Sequence, residues 1–169
     1  MNDSAEKDIW NWITNYIEVN NEFYDYKFPP CPYAKSARLK GLVDVQAYTS
    51  GNPYTFVKNQ LDDLVEHKKF NIRVMVFPYW MRWLYPLHWA LQKLNKTAIA
   101  NEFYIQYGRV TDQVSQPYFI VIANNLPDVL AAHDTLKKTN YYNNWSDKHY
   151  NEVVVRRQHA YDKHKGKNQ

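Results

Sequence analysis

The stretch Leu39-Lys40-Gly41-Leu42-Val43-Asp44-Val45-Gln46-Ala47-Tyr48, followed by Ser50-Gly51-Asn52-Pro53, decides the fold class. Val43, Val45 and Ala47 alternate with Asp44, Gln46 and Tyr48, the period of a strand with one apolar and one polar face. Asn52 is placed to cap a helix and Pro53 to occupy its first position, where the missing N–H costs nothing. Phe56, Val57, Leu61, Leu64 and Val65 then recur at helical spacing until about Lys68. A second strand is predicted over Phe70–Phe77, alternating Ile72, Val74 and Val76 with Arg73, Met75 and Phe77, and Pro78 closes it.

Working outward from this strand–helix–strand unit, Ile9, Ile13, Tyr16 and Ile17 predict a helix over residues 4–20, with Asp3 or Ser4 as its cap. Residues Asn20–Ser36 read as an irregular loop, since Pro29-Pro30-Cys31-Pro32 is too rich in proline for a helix interior. Leu84, Leu87, Leu91 and Leu94 mark a further helix. Phe103–Tyr107 and Pro117–Ala123 are strands, the latter apolar on both faces and therefore central. Asn125 and Asp128 form a capping pair for a helix through Val129, Leu130, His133 and Leu136. A last helix runs from Ser146 to about His164, with residues 165–169 a frayed tail. This order predicts a single α+β domain over residues 1–169. It is expected to be a two-layer sandwich, its helices packed on one face of a four-stranded mixed or antiparallel sheet.

Composition sets bounds on function. The 169 residues carry 45% hydrophobic and 22% charged side chains, globular values, with a net charge of +4 that admits anionic partners without requiring them. Aromatic residues are in surplus, with 6 Trp, 15 Tyr and 7 Phe against 4 Gly, enough to fill a core and leave some on the surface. A single cysteine excludes an internal disulfide, and no run approaches the ~18 apolar residues of a membrane span. The chain reads as soluble, cytoplasmic and without a membrane partner. Its wealth of Lys, Asn and Tyr is what an AT-rich genome, a viral one among them, encodes.

Cys31 is the first chemical candidate, a catalytic nucleophile or an anchor held in a rigid turn. Lys35, Arg38 and Lys40 follow it closely and would lower its pKa if they converged on it, with Lys35 and Arg38 holding an anionic ligand. The second candidate is the polar strand face, where Asp44 and Arg73 are joined by Gln46, Tyr104 and Gln106 to orient a small ligand. The third is the basic carboxy-terminal helix with Tyr141, Tyr142, Trp145, Tyr150 and Tyr161 interleaved, a mix that suits nucleic acid. The fourth is an aromatic surface around Tyr79, Trp80, Trp83 and Trp89 that suits a structural or protein partner. No histidine pair has metal-ligand spacing, so no metal site is expected, and nothing in the sequence names a cofactor or an oligomeric state. Phosphate-binding glycine loops and nucleophile elbows are absent.

Several of these residues carry a resemblance. Trp12-Ile13, Cys31-Pro32-Tyr33-Ala34-Lys35 and Lys40-Gly41 resemble the amino-terminal signature of a bacterial family of unknown function, whose members carry Cys-Pro-Phe-Ala before a Gly and a strand. Val76-Phe77-Pro78, Ile105-Gln106 and Ser115-Gln116-Pro117-Tyr118 resemble later strand ends of that family. The family's histidines are replaced here, by Phe77, by Val121 and by the Gly108-Arg109-Val110 stretch, so their roles do not transfer. The resemblance implies a compact α+β fold, keeps Cys31, Lys35 and Gln106 as candidates, and supplies no activity.

Overall fold

The computed structural model describes residues 2–165, and all side chains among these except those of residues 2, 3, 85 and 164. Four strands form one mixed sheet in the order β1-β2-β4-β3: β1 (Val43–Ala47), β2 (Ile72–Pro78), β3 (Phe103–Val110) and β4 (Tyr118–Asn125). β1 and β2 are parallel, joined by α3 (Pro53–His67), because two neighbouring parallel strands need a long crossover. β2 and β3 each pair antiparallel with β4. The strand predicted to be apolar on both faces, β4, is central, as that pattern requires, and β2, predicted only to alternate, is central and buried along its length as well.

The helix starts follow local rules. The Asn52 side chain accepts from the N–H groups of Tyr54 and Thr55, and Pro53 fills the first position of α3. Asn125 likewise accepts from Asp128 N–H to open α5 (Leu126–Leu136). Asp128 does not return the bond as a capping pair would; its carboxylate is taken by the Tyr33 hydroxyl at 2.9 Å and by the Asn71 amide. α1 (Asn2–Trp12) begins ahead of Ser4, which therefore lies inside it, and the alternative cap Asp3 has its side chain outside the described set. Residues 166–169 of the expected frayed tail also lie outside the described residues.

Two expectations are corrected. The loop predicted over Asn20–Ser36 ends early, because α2 (Pro32–Leu39) starts inside the proline-rich stretch: Pro32 takes the first helical position and Cys31 the cap, in extended backbone at φ −135°. The expected helices on one face become helices on both. α3 and α4 (Tyr85–Ala100) pack Val57, Leu61, Leu64, Leu87, Leu91 and Leu94 on Met75, Phe77, Ile105, Phe119 and Val121. On the other face Ile9 and Ile13, with Ala37 of α2, pack on Val43, Val45, Val74, Val76 and Ile120. The α+β class, the single domain and the mixed four-stranded sheet stand, and the layering is three deep.

β1 shows why the layering was misjudged. Its polar face, taken as open, lies under α3. Arg73, paired in register with Asp44, is buried there, donating from Nε to Asp44 at 2.8 Å and from one terminal nitrogen to Asp63 at 2.6 Å and to the Gln60 carbonyl at 2.8 Å. Polarity alternates along β1, but the charge on the inner side is met by a partner from β2, so Asp44 and Gln46 are half-buried rather than open to water.

Candidate functional site

The Cys31 turn is held from three sides. Residues Ile13–Ile17 form a π-helical turn at the end of α1, and the Ile17 carbonyl accepts the Cys31 N–H at 3.2 Å. The Tyr141 hydroxyl donates to the Pro30 carbonyl at 2.5 Å, and Arg38 makes a bidentate ion pair with Glu18, 2.8 Å on each arm. Beneath the turn is a cavity of about 260 Å³, walled by Cys31 and Tyr33, by His133 and neighbours on α5, by Gln106 and Asn124 of the sheet, and by Arg157 of α7 (Arg156–Lys165).

A second π-helical turn, Asn151–Val155, lies between the short α6 (Asp147–Tyr150) and α7. A spacing of four puts Glu152 and Val153 on the same side as Arg156 and Arg157, and all four face space beside β3. Arg157 and Val153 also reach the Cys31 cavity. The neighbouring cleft, about 560 Å³, is bordered by Tyr104, Gln106, Tyr107 and Arg156 and opens to solvent along the edge strand.

Arg157 is the electrostatic centre of the cavity. It is only 7% exposed, donates to the Gln106 side-chain carbonyl and, at 3.2 Å, to Nε2 of His133, and its guanidinium lies 5.3 Å from the centre of the Tyr104 ring. Among the described residues it has no carboxylate partner, and burial pulls its pKa down, with Tyr104, Cys31 and Tyr142 acting in the opposite sense without outweighing it. A guanidinium can only donate, so Nε2 of His133 is the acceptor and Nδ1, which faces the Tyr142 hydroxyl, carries the proton. Burial, with the Arg157 charge adding to it, lowers the His133 pKa to about 4 and keeps the ring neutral.

Burial also pushes the Cys31 thiol up. The Tyr33 and Ala34 amides at the start of α2 and the Arg157 charge act the other way, and desolvation outweighs them. The cation beside Cys31 is thus Arg157, 126 positions along the chain, rather than its sequence neighbours. Lys35 is exposed and Arg38 is spent on Glu18. Of the other predicted ligand residues, Gln106 lines the cavity and Tyr104 the adjoining cleft. Asp44 and Arg73 lie elsewhere. Register places Arg73 opposite Ala123 and Gln106 opposite Ile122, and consecutive residues of β4 point to opposite faces, so the expected polar face is divided between two sides of the sheet.

Sequence reading missed Arg157 and Asn124. Arg157 is hidden in a basic run, and its one signal is that it follows Val153 and Val154 at helical spacing, inside an apolar stripe. Asn124 interrupts the apolar run of β4 and is 8% exposed, with an amide nitrogen that has no hydrogen-bond partner among the described residues. The aromatic residues of 141–150 turn their faces on one another: Tyr141 stacks on Tyr24 at 4.7 Å and meets Phe28 edge-on, and Tyr142 meets Trp145 and Tyr150 edge-on. By contrast, Trp80, Trp83 and Trp89 are all more than half exposed, with Arg82 over Trp83 and Lys93 over Trp89. Among the described residues no helix is long and apolar enough to cross a membrane. No protein-family model matches the chain, and neither a curated protein nor a solved structure matches it.

Proposed function

We propose that this protein binds a small molecule in the cavity between the Cys31 turn, α5 and α7. The observation that carries the reading is Arg157, a buried cation that among the described residues has no carboxylate partner and faces a cavity that no Asp or Glu lines. An uncompensated buried charge is costly, and a bound acceptor group offsets that cost. An apolar, aromatic wall with a few convergent polar groups is also the usual make-up of a ligand pocket. In this reading Cys31 is a wall residue and anchor: its thiol is held neutral, and His133, one of the two imidazoles that line the cavity, has its free nitrogen occupied by Arg157. A cytoplasmic setting goes with the lone reduced thiol.

Nucleic-acid binding through the last helix is a weaker reading, because Arg157 points inward and the neighbouring rings are packed together. Docking of a protein partner on Trp80, Trp83 and Trp89 keeps a specific support in their exposure. The test is a thermal-shift screen of a chemically broad library on the wild type and on Ala132→Phe, which fills the cavity. Compounds that raise the wild-type melting temperature and leave the filled variant unmoved are the expected result. A library in which every stabilising compound acts equally on both, or none acts, refutes the proposal.

A further inference from the structure

We propose that the molecule held in this cavity is a ring-sized organic acid whose carboxylate is carried jointly by Arg157 and Asn124, an inference that rests on reading the cavity as a small-molecule site. Tyr104 and Asn124 are directly opposed in the β3–β4 register, and Gln106 follows on the same face. Arg157 lies over Tyr104 and donates to Gln106, so the guanidinium and the Asn124 amide address one small area of sheet. Each terminal nitrogen of Arg157 has a second hydrogen beyond those given to Gln106 and His133, and Nε–H makes no hydrogen bond among the described residues. With the Asn124 nitrogen also unpartnered, the cavity offers donors and is short of acceptors.

Charge and size narrow the class. A buried amide donor and a buried cation left unpaired are both destabilising, and one carboxylate, with two acceptor oxygens and a single negative charge, answers both. Among the described residues Arg157 is the one Lys or Arg that lines the cavity; of the cavity's two imidazoles His133 is neutral and His149 packs against the Trp145 ring at 4.3 Å, and Arg156 faces the neighbouring cleft. A phosphate dianion would exceed the charge of Arg157. The first-turn amides of α2 do not supply the balance, because Pro32 has no N–H and that of Ala34 donates to the Cys31 carbonyl at 3.0 Å. About 260 Å³ walled by Tyr24, Tyr141, Trp145, Val129 and Leu136 takes one ring with its acid group and is too small for a nucleotide.

The test is isothermal titration of the full chain with a set of monocyclic carboxylates headed by benzoate, each paired with its own uncharged amide, and with inorganic phosphate as competitor. The acids are expected to bind at least about tenfold more tightly than their amides, and phosphate is expected not to displace them. Arg157→Met should remove that preference while the amides bind as before, with circular dichroism reporting the fold. Asn124→Leu, which keeps the volume, should weaken the acids about tenfold and serves alone if the first variant does not fold. Amides that match or exceed their acids, or phosphate that displaces them, overturn the carboxylate assignment and leave the cavity reading in place. Failure of every acid has the same meaning when the broad library still yields compounds blocked by Ala132→Phe, and when it does not, both proposals fall.

Discussion

Replacing Arg73 by methionine separates a buried charge network from a surface ion pair. The Arg73 side chain is 4% exposed and Asp44 16%, whereas Asp63 at 47% is nearly half in water. The variant leaves Asp44 under α3 with Gln46, at 3.2 Å, as its remaining polar side-chain partner, and frees the Gln60 carbonyl. Breaking a buried pair by removing one partner costs about 3–5 kcal/mol. Asp63 rehydrates at little cost, so the loss should fall at the lower end, about 3 kcal/mol, and methionine fills most of the space that arginine vacates. For a chain of this length that corresponds to a melting temperature lower by roughly 6–12 °C. Urea denaturation gives the free energy and a thermal melt the temperature. Lys58→Met, which breaks the exposed Lys58–Asp62 pair on the same helix, should leave both unchanged and serves as the control. A loss for Arg73→Met below about 1 kcal/mol would show that the pair behaves as a solvated one, and the buried-network account of β1 would be refuted.

Two further outcomes follow from the cavity. His133 binds a proton at about 4 in the folded chain but near 6.5 when unfolded, so the unfolded state takes up the proton first and stability is lost as pH falls from about 6.5 towards 4. The full loss is about 3 kcal/mol, and His133→Gln, which keeps an acceptor for Arg157, should flatten this part of a series of urea midpoints; equal slopes in both proteins would count against a buried neutral imidazole. Cys31, with its thiol pushed up by burial, should react with iodoacetamide more slowly at neutral pH than a free thiol, with a midpoint above the ordinary value of ~8.5. A midpoint below that value would restore Cys31 as a nucleophile.

The division between what was legible in the chain and what was not follows the range of the interactions involved. Alternation in Val43–Ala47 and Ile72–Pro78, the Asn52-Pro53 start of α3 and the doubly apolar Tyr118–Asn125 run are local patterns, written in residues two to four apart, and the elements and the central place of β4 follow from them. Cys31 as the residue of a placed turn was legible for the same reason, and Gln106, expected near it, lines the cavity beneath that turn. Pro32 was misjudged, because a proline that forbids a helix interior is welcome at a helix start, and the two are told apart only by what precedes it. Which side of the sheet a side chain faces, however, depends on strand order and register. Asp44 and Arg73 were placed with Tyr104 and Gln106, and pairing through β4 puts them on opposite sides. Arg157 is the furthest from local reading: its sequence neighbours make it one cation of a basic helix. Only the packing of α7 against α4 and α5 takes its charge out of water and sets it beside Cys31, His133 and Gln106. Local periodicity thus settled the elements of this protein, while the site was decided by contacts between residues far apart in the chain, whose strength depends on burial that no short stretch of sequence encodes.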